Sequence, residues 1–137
     1  MVNAPNTDGL ITRASAHGPE ETADRLLKSL EKHGLTLVAR IDHAAAAEHA
    51  GLSLRPTEVF IFGNPKGGTP LMQVSQAAGI DLPLKALVWQ DEQGATWLSW
   101  NDPWWIAQRH GVGEAASKPA EAMANALLAI ATEVTGR

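Results

Sequence analysis

The chain has 137 residues, 45% hydrophobic and 19% charged, with a formal net charge of -4 and no cysteine. That balance predicts one globular domain with a single core, and it excludes the disordered class. Acids and bases are mixed with no basic stripe, which argues against nucleic acid, and no apolar run approaches the roughly 20 residues that span a bilayer. Lack of cysteine removes disulfides, thiolate catalysis, zinc thiolates and iron–sulfur clusters. The opening "MVNAPNTDGLI" has no basic segment followed by an apolar run, so no secretory signal is expected. A cytoplasmic protein with no membrane or nucleic-acid partner is the expectation.

In chain order, residues 1–9 are polar and expected to be flexible, and residues 10–137 are expected to form one domain. "LITRASA" (10–16) suits a first strand. "PEETADRLLKSLEKHG" (19–34) predicts an amphipathic helix. Pro19 opens it, and Glu20 and Glu21 favour the positive end of its dipole. Ala23, Leu26, Leu27 and Leu30 make its apolar face, and Gly34 ends it. "LTLVARI" (35–41) alternates, which predicts a strand with Leu35, Leu37, Ala39 and Ile41 on one side. Asp42 caps a short helix, "HAAAAEHA", ended by Gly51. "TEVFIF" (57–62) is the next strand, and "GNPKGGTP" follows as a loop. A short helix is predicted over 70–78, with Thr69 as cap and Pro70 at its first position. "LPLKALVWQ" and "ATWLSW" are strands joined by the hairpin "DEQG". Asp102 caps a short helix that starts at Pro103. The last helix, 117–134, carries Ala120, Met123, Ala124, Leu127, Leu128, Ala131 and Val134 as its stripe.

Hairpin-joined strands with two striped helices predict an α+β fold: a two-layer sandwich, antiparallel sheet with helices on one face. Phe60, Phe62, Trp89, Trp97 and Trp100 give both sheet faces apolar surface, which points to a homodimer or a bound ligand.

"RIDHAAAA", "FGNPKGGTPLMQ", "IDLPLKALVW" and "NDPWWIAQRHG", in this order from about Ser15 to Gly111, resemble a bacterial and archaeal family named as domain of unknown function 302. The resemblance implies a TBP-like β-α-β(4)-α topology and dimeric members, and it implies no reaction and no cofactor. This chain departs from the family pattern at Gly18-Pro19, where a serine often stands, and at Gln90, where an acid often stands. The second departure weakens any reading that gives that strand end a catalytic carboxylate.

Three constellations could carry function. In "GNPKGGTP", Asn64, Lys66, Gly67, Gly68 and Thr69 have the parts of an anion cradle: glycine N–H groups, a hydroxyl at a helix start and a cation. Lys66 precedes both glycines, which is not P-loop order, and Pro70 removes a donor. Turn chemistry, with the glycines at positive φ, is the simpler reading. Asp42 and His43 could form an acid–base pair, or serve only as a cap and an exposed first-turn residue. His43 and His49 lie on opposed sides of a helix, so no metal is expected. The five tryptophans, all within residues 89–105, could wall a pocket, or build core and interface. Asn101 and Asp102 lie between a strand end and a helix start, which suits a cap and a site equally.

The expected function is a non-catalytic dimeric domain that binds a small anionic or apolar ligand, or a partner. The alternative is a hydrolase or lyase-like enzyme with its site around the Lys66 loop, Asp42, His43, Asn101 and Asp102. No motif marks a nucleophile or metal site.

Overall fold

The structure, a computed structural model, describes residues 8–137. The expected flexible segment 1–9 lies outside the described residues except for Asp8 and Gly9. The elements run β1 (Leu10–Ala14), α1 (Pro19–Lys32), β2 (Thr36–Asp42), α2 (His43–His49), β3 (Thr57–Gly63) and α3 (Pro65–Val74), then a 3-10 turn (Gln76–Asp81). β4 (Leu84–Gln90), β5 (Thr96–Asn101), α4 (Pro103–Arg109), a second 3-10 turn (Gly113–Ala116) and α5 (Ser117–Thr135) complete the chain. The sheet is antiparallel throughout, in the order β1-β5-β4-β3-β2. The α+β expectation holds, with the short extra helices in place.

The strand period sorts the side chains between the faces. Phe60, Phe62, Leu84, Ala86, Val88, Leu98 and Trp100 pack on one face against Leu26 and Leu30 of α1 and Leu127, Ile130 and Val134 of α5. Phe60 and Phe62 are fully buried, each stabilising the fold by about 1.5–3 kcal/mol relative to an exposed side chain. Polar contacts tie α1 to the end of α5. Arg25 donates to the Val134, Glu133 and Gly136 carbonyls, and the Glu133 carboxylate accepts from Ser29 at 2.7 Å and pairs with Lys32 and His33. Ser29, then Lys32, draws the Glu133 carboxyl down from 4.5 to about 2.

Three expectations need correction. Residues 64–69 are not a loop before a helix at 70. Asn64 caps α3, its Oδ1 accepting from the Lys66 N–H at 3.0 Å, and Pro65 takes the opening position. Asn64-Pro65 carries the same cap-then-proline signature as Thr69-Pro70 and stands earlier in the chain, so Pro70 falls inside the helix. Gly67 and Gly68 accordingly lack positive φ, whereas Gly34, Gly51, Gly94 and Gly111 have it. Second, the alternation of β2 breaks at a bulge between Leu37 and Ala39. Leu37 pairs with Phe62 on the helix-covered face, while Ala39 and Ile41 pair with Ile61 and Val59 on the other. A bulge adds one residue and flips every side chain beyond it. Third, on α5 Leu128 is 50% exposed and Ile130 is buried, because the helix turns a slightly different stripe toward the sheet.

Candidate functional site

The structure has a cleft of about 590 Å3 at the end of the sheet where β3 runs into α3. Gly63, Asn64, Pro65, Gly67, Gly68 and Thr69 form one wall, the start of β2 a second, Leu82 to Leu84 a third, and α5 closes it with Met123 and Leu127. The family-like stretch thus builds one wall of a recess larger than the depression on the open sheet face. Its glycines act by size. A Cβ at Gly67 would stand 3.9 Å from Met123 Cγ, and one at Gly68 3.5 Å from Leu82 Cδ1. Both positions could hold a side chain, and one there would take up room in the cleft.

The cleft is aliphatic and holds no charged or aromatic side chain among its lining residues. The donors expected to cradle an anion are engaged inside the cap: the Gly67 and Gly68 N–H groups donate to the Asn64 carbonyl at 2.8 and 3.2 Å, and the Lys66 N–H donates to Asn64 Oδ1. Lys66 is exposed and stands outside the lining.

The other candidates lie elsewhere. His43 and Asn101 line a second, smaller depression of about 330 Å3 on the open sheet face, with Val59, Lys85, Leu87 and Trp89. Asp42 caps α2, accepting from the Ala45 N–H at 2.9 Å, and Asp102 caps α4, accepting from the Trp104 N–H at 3.0 Å. The structure therefore brings 64 and 67–69 to one recess and 43 and 101 to another, while Asp42 and Asp102 are occupied as caps. Among the described residues no group of three or more histidines and carboxylates could hold a metal ion.

Trp89 and Trp97 pair across β4 and β5 with ring centroids 6.1 Å apart and planes at 25°. The Trp89 indole N–H donates to Ser99 Oγ at 2.9 Å, and Ser99 Oγ bonds Thr12 Oγ1 at 2.8 Å. Trp97 Nε1 donates to Asp91 Oδ2 at 2.7 Å, while Asp91 Oδ1 accepts from the Gln93 and Ala95 N–H groups. These bonds, the Trp97 contact foremost, hold the Asp91 carboxyl below the usual carboxylate range. Asp91 thus organises the "DEQG" hairpin and anchors the tryptophan pair, a role its place in a turn sequence does not reveal.

A further cluster was invisible in the sequence. Asp81 accepts from both Arg109 Nη1 (2.9 Å to each oxygen) and His110 Nε2 (2.6 Å). Burial pushes the Asp81 carboxyl up, but the two partners outweigh it and hold it below its ordinary value. The pairing fixes the 3-10 turn that leads into the Leu82–Pro83 wall of the cleft.

Comparison with known proteins fits this architecture. Residues 11–130 match the family model described as Domain of unknown function DUF302. Three Brucella proteins, from B. suis, B. abortus and B. melitensis, are each 46% identical over 115 residues, 84% of this chain, and are named fluoride-specific ion channels. The chain spans under half the length of those relatives, 43–45% of each. No described helix is long and apolar enough to cross a membrane. A crystal structure of a conserved DUF302 protein from Bacillus stearothermophilus superposes with a TM-score of 0.80 at 22% identity, covering 90% of this chain and 96% of that one. That likeness carries the fold, and the family match, which takes in all four spaced stretches, carries the assignment: the chain belongs to the DUF302 family.

Proposed function

We propose that the domain is a non-catalytic binding module whose site is the cleft at α3, and that it works as a homodimer. The observation that carries the first part is the cleft itself. Its volume falls within the roughly 300–1,000 Å3 of small-molecule sites, and its walls are apolar with few polar groups, as in such sites. A catalytic site would need Asp42, His43, Asn101, Asp102 and the Lys66 segment within hydrogen-bond reach of one substrate, and these residues occupy two recesses and two helix caps. The reading concerns the part that this chain shares with the Brucella proteins.

The dimer reading rests on the open sheet face. Trp89, Leu87, Val59 and Ile61 sit there half-buried, on the face away from the packing of α1 and α5, and such apolar patches mark interaction surfaces. The experiment for the cleft is a thermal-shift screen against acyl compounds, sugar phosphates and nucleotides. A ligand at a hundredfold excess over its Kd raises apparent stability by about 2.7 kcal/mol. Stabilisation by apolar compounds, lost in Gly68→Leu, is the expected result. No stabilisation by any of the three classes sinks the ligand reading.

A further inference from the structure

The lining of the cleft narrows the class of ligand, and this step rests on the binding reading above. We propose that the cleft takes a single unbranched aliphatic chain whose anionic end lies at the rim beside Lys66. Three features of the walls point this way. First, no aromatic ring lines the cleft, so a flat heterocycle would find no stacking surface. Second, the polar side chains are only Thr36, Asn64 and Thr69, and Asn64 Oδ1 already caps α3. A sugar or nucleotide would therefore leave most of its donors and acceptors unmet, at a cost of about 1–3 kcal/mol for each buried group. Third, Met72 and Met123 both line the cleft among aliphatic leucines, and unbranched thioethers adapt to a flexible chain better than to a rigid shape.

The charge of the ligand's end follows from the surroundings. With no charged lining residue to neutralise it, an ionised group would be expelled from the cleft to the solvent at its rim. Lys66 lies between Pro65 and Gly67, both of which line the cleft, and no carboxylate among the described residues pairs with its ammonium. An anionic end would meet an available cation there. A fatty acid and an alkyl phosphate share this chemistry.

The chain has 3 methionines, so a spectrum of methyl-labelled methionine reports on the cleft directly, with Met72→Leu assigning one signal. Octanoate, decanoate and dodecanoate are expected to move the Met72 and Met123 signals, with affinity rising about fourfold per methylene until the cleft is full. Dodecanol is expected to move the same signals with about tenfold lower affinity, and Lys66→Gln to erase that difference. Dodecyl phosphate tested beside dodecanoate tells the two natural sources apart, and either binding more tightly than dodecanol supports the proposal. Gly68→Leu and, as a second filler on the opposite wall, Ala126→Leu should abolish the shifts while both variants still melt cooperatively. Shifts surviving in both folded fillers, or equal affinity for dodecanol and the two anions, overturn the proposal. If straight chains leave both methionines unmoved while naphthalenesulfonate moves them, the chain class falls and the binding reading stands. If neither type of compound moves them, both fall.

Discussion

The two faces of the sheet both carry apolar side chains but solve different problems. On the covered face, α1 and α5 bury Phe60, Phe62, Leu98 and Trp100, and where α3 crosses the corner the packing stops short and leaves an aliphatic cleft. On the open face, Trp89 lines a shallower, more polar depression with Lys85, His43 and Asn101 and stacks on the buried Trp97, the two indole N–H groups being satisfied by Ser99 and Asp91. A half-buried ring such as Trp89 suits a partner surface, whereas a recess walled by flexible side chains suits a small molecule. The cleft and the proposed docking face thus lie apart, at different places on one sheet.

This contrast can be broken or sharpened by substitution. The largest effect is expected on the covered face, where Phe62→Ala should cost about 3–5 kcal/mol in denaturant unfolding. Trp89→Ala on the open face should cost well under half as much in the same measurement. Equal costs would mean that the open face is as tightly packed as the core. Asp91→Ala comes next, at about 1–3 kcal/mol, because it strands the buried Trp97 N–H and two turn amides. Its cost should disappear in a Trp97→Phe background to the extent that the indole bond carries it. Sedimentation velocity tests the docking role: wild type is expected as a dimer at micromolar concentration and Trp89→Lys as a monomer, while a monomeric wild type would reassign that face. The helix caps should cost about 1 kcal/mol each in Asp42→Ala and Asp102→Ala. If either variant instead removes binding of a cleft ligand at unchanged stability, the division between the two recesses is wrong.

The smallest effect is pH-dependent and belongs to the covered side. The Glu133 carboxyl is depressed to about 2 from 4.5. Its contribution is therefore fully present above the unfolded value and is lost as pH falls from about 4.5 toward 2. Urea midpoints at pH 7 and pH 3 should differ less in Glu133→Gln than in wild type. An identical pH dependence in the two proteins would show that the Ser29 and Lys32 contacts do not survive in solution.

Much of this molecule was written locally. Helix α1 followed from Pro19, two early glutamates, leucines at helical spacing and Gly34, because each of these acts within one or two turns. The hairpin of β4 and β5 followed from period-2 strands on either side of a glycine turn. The same local chemistry misled at residues 64–70, where two cap-then-proline signatures compete and the helix, packed on α5, starts from the first. The bulge in β2 was equally hidden, since nothing in "LTLVARI" marks which residue the partner strand will skip.

By itself the sequence determined most element types, the antiparallel sheet, the ends of α1 and the starts of α2 and α4, and the family, because capping, periodicity and turn chemistry act between near neighbours. Only the tertiary structure decided what lies in a recess. Gly67 and Gly68 met Met123 and Leu82 from distant elements, Asp81 met His110, and His43 parted from Lys66. Those outcomes depend on how the layers pack, and no spacing along the chain records it.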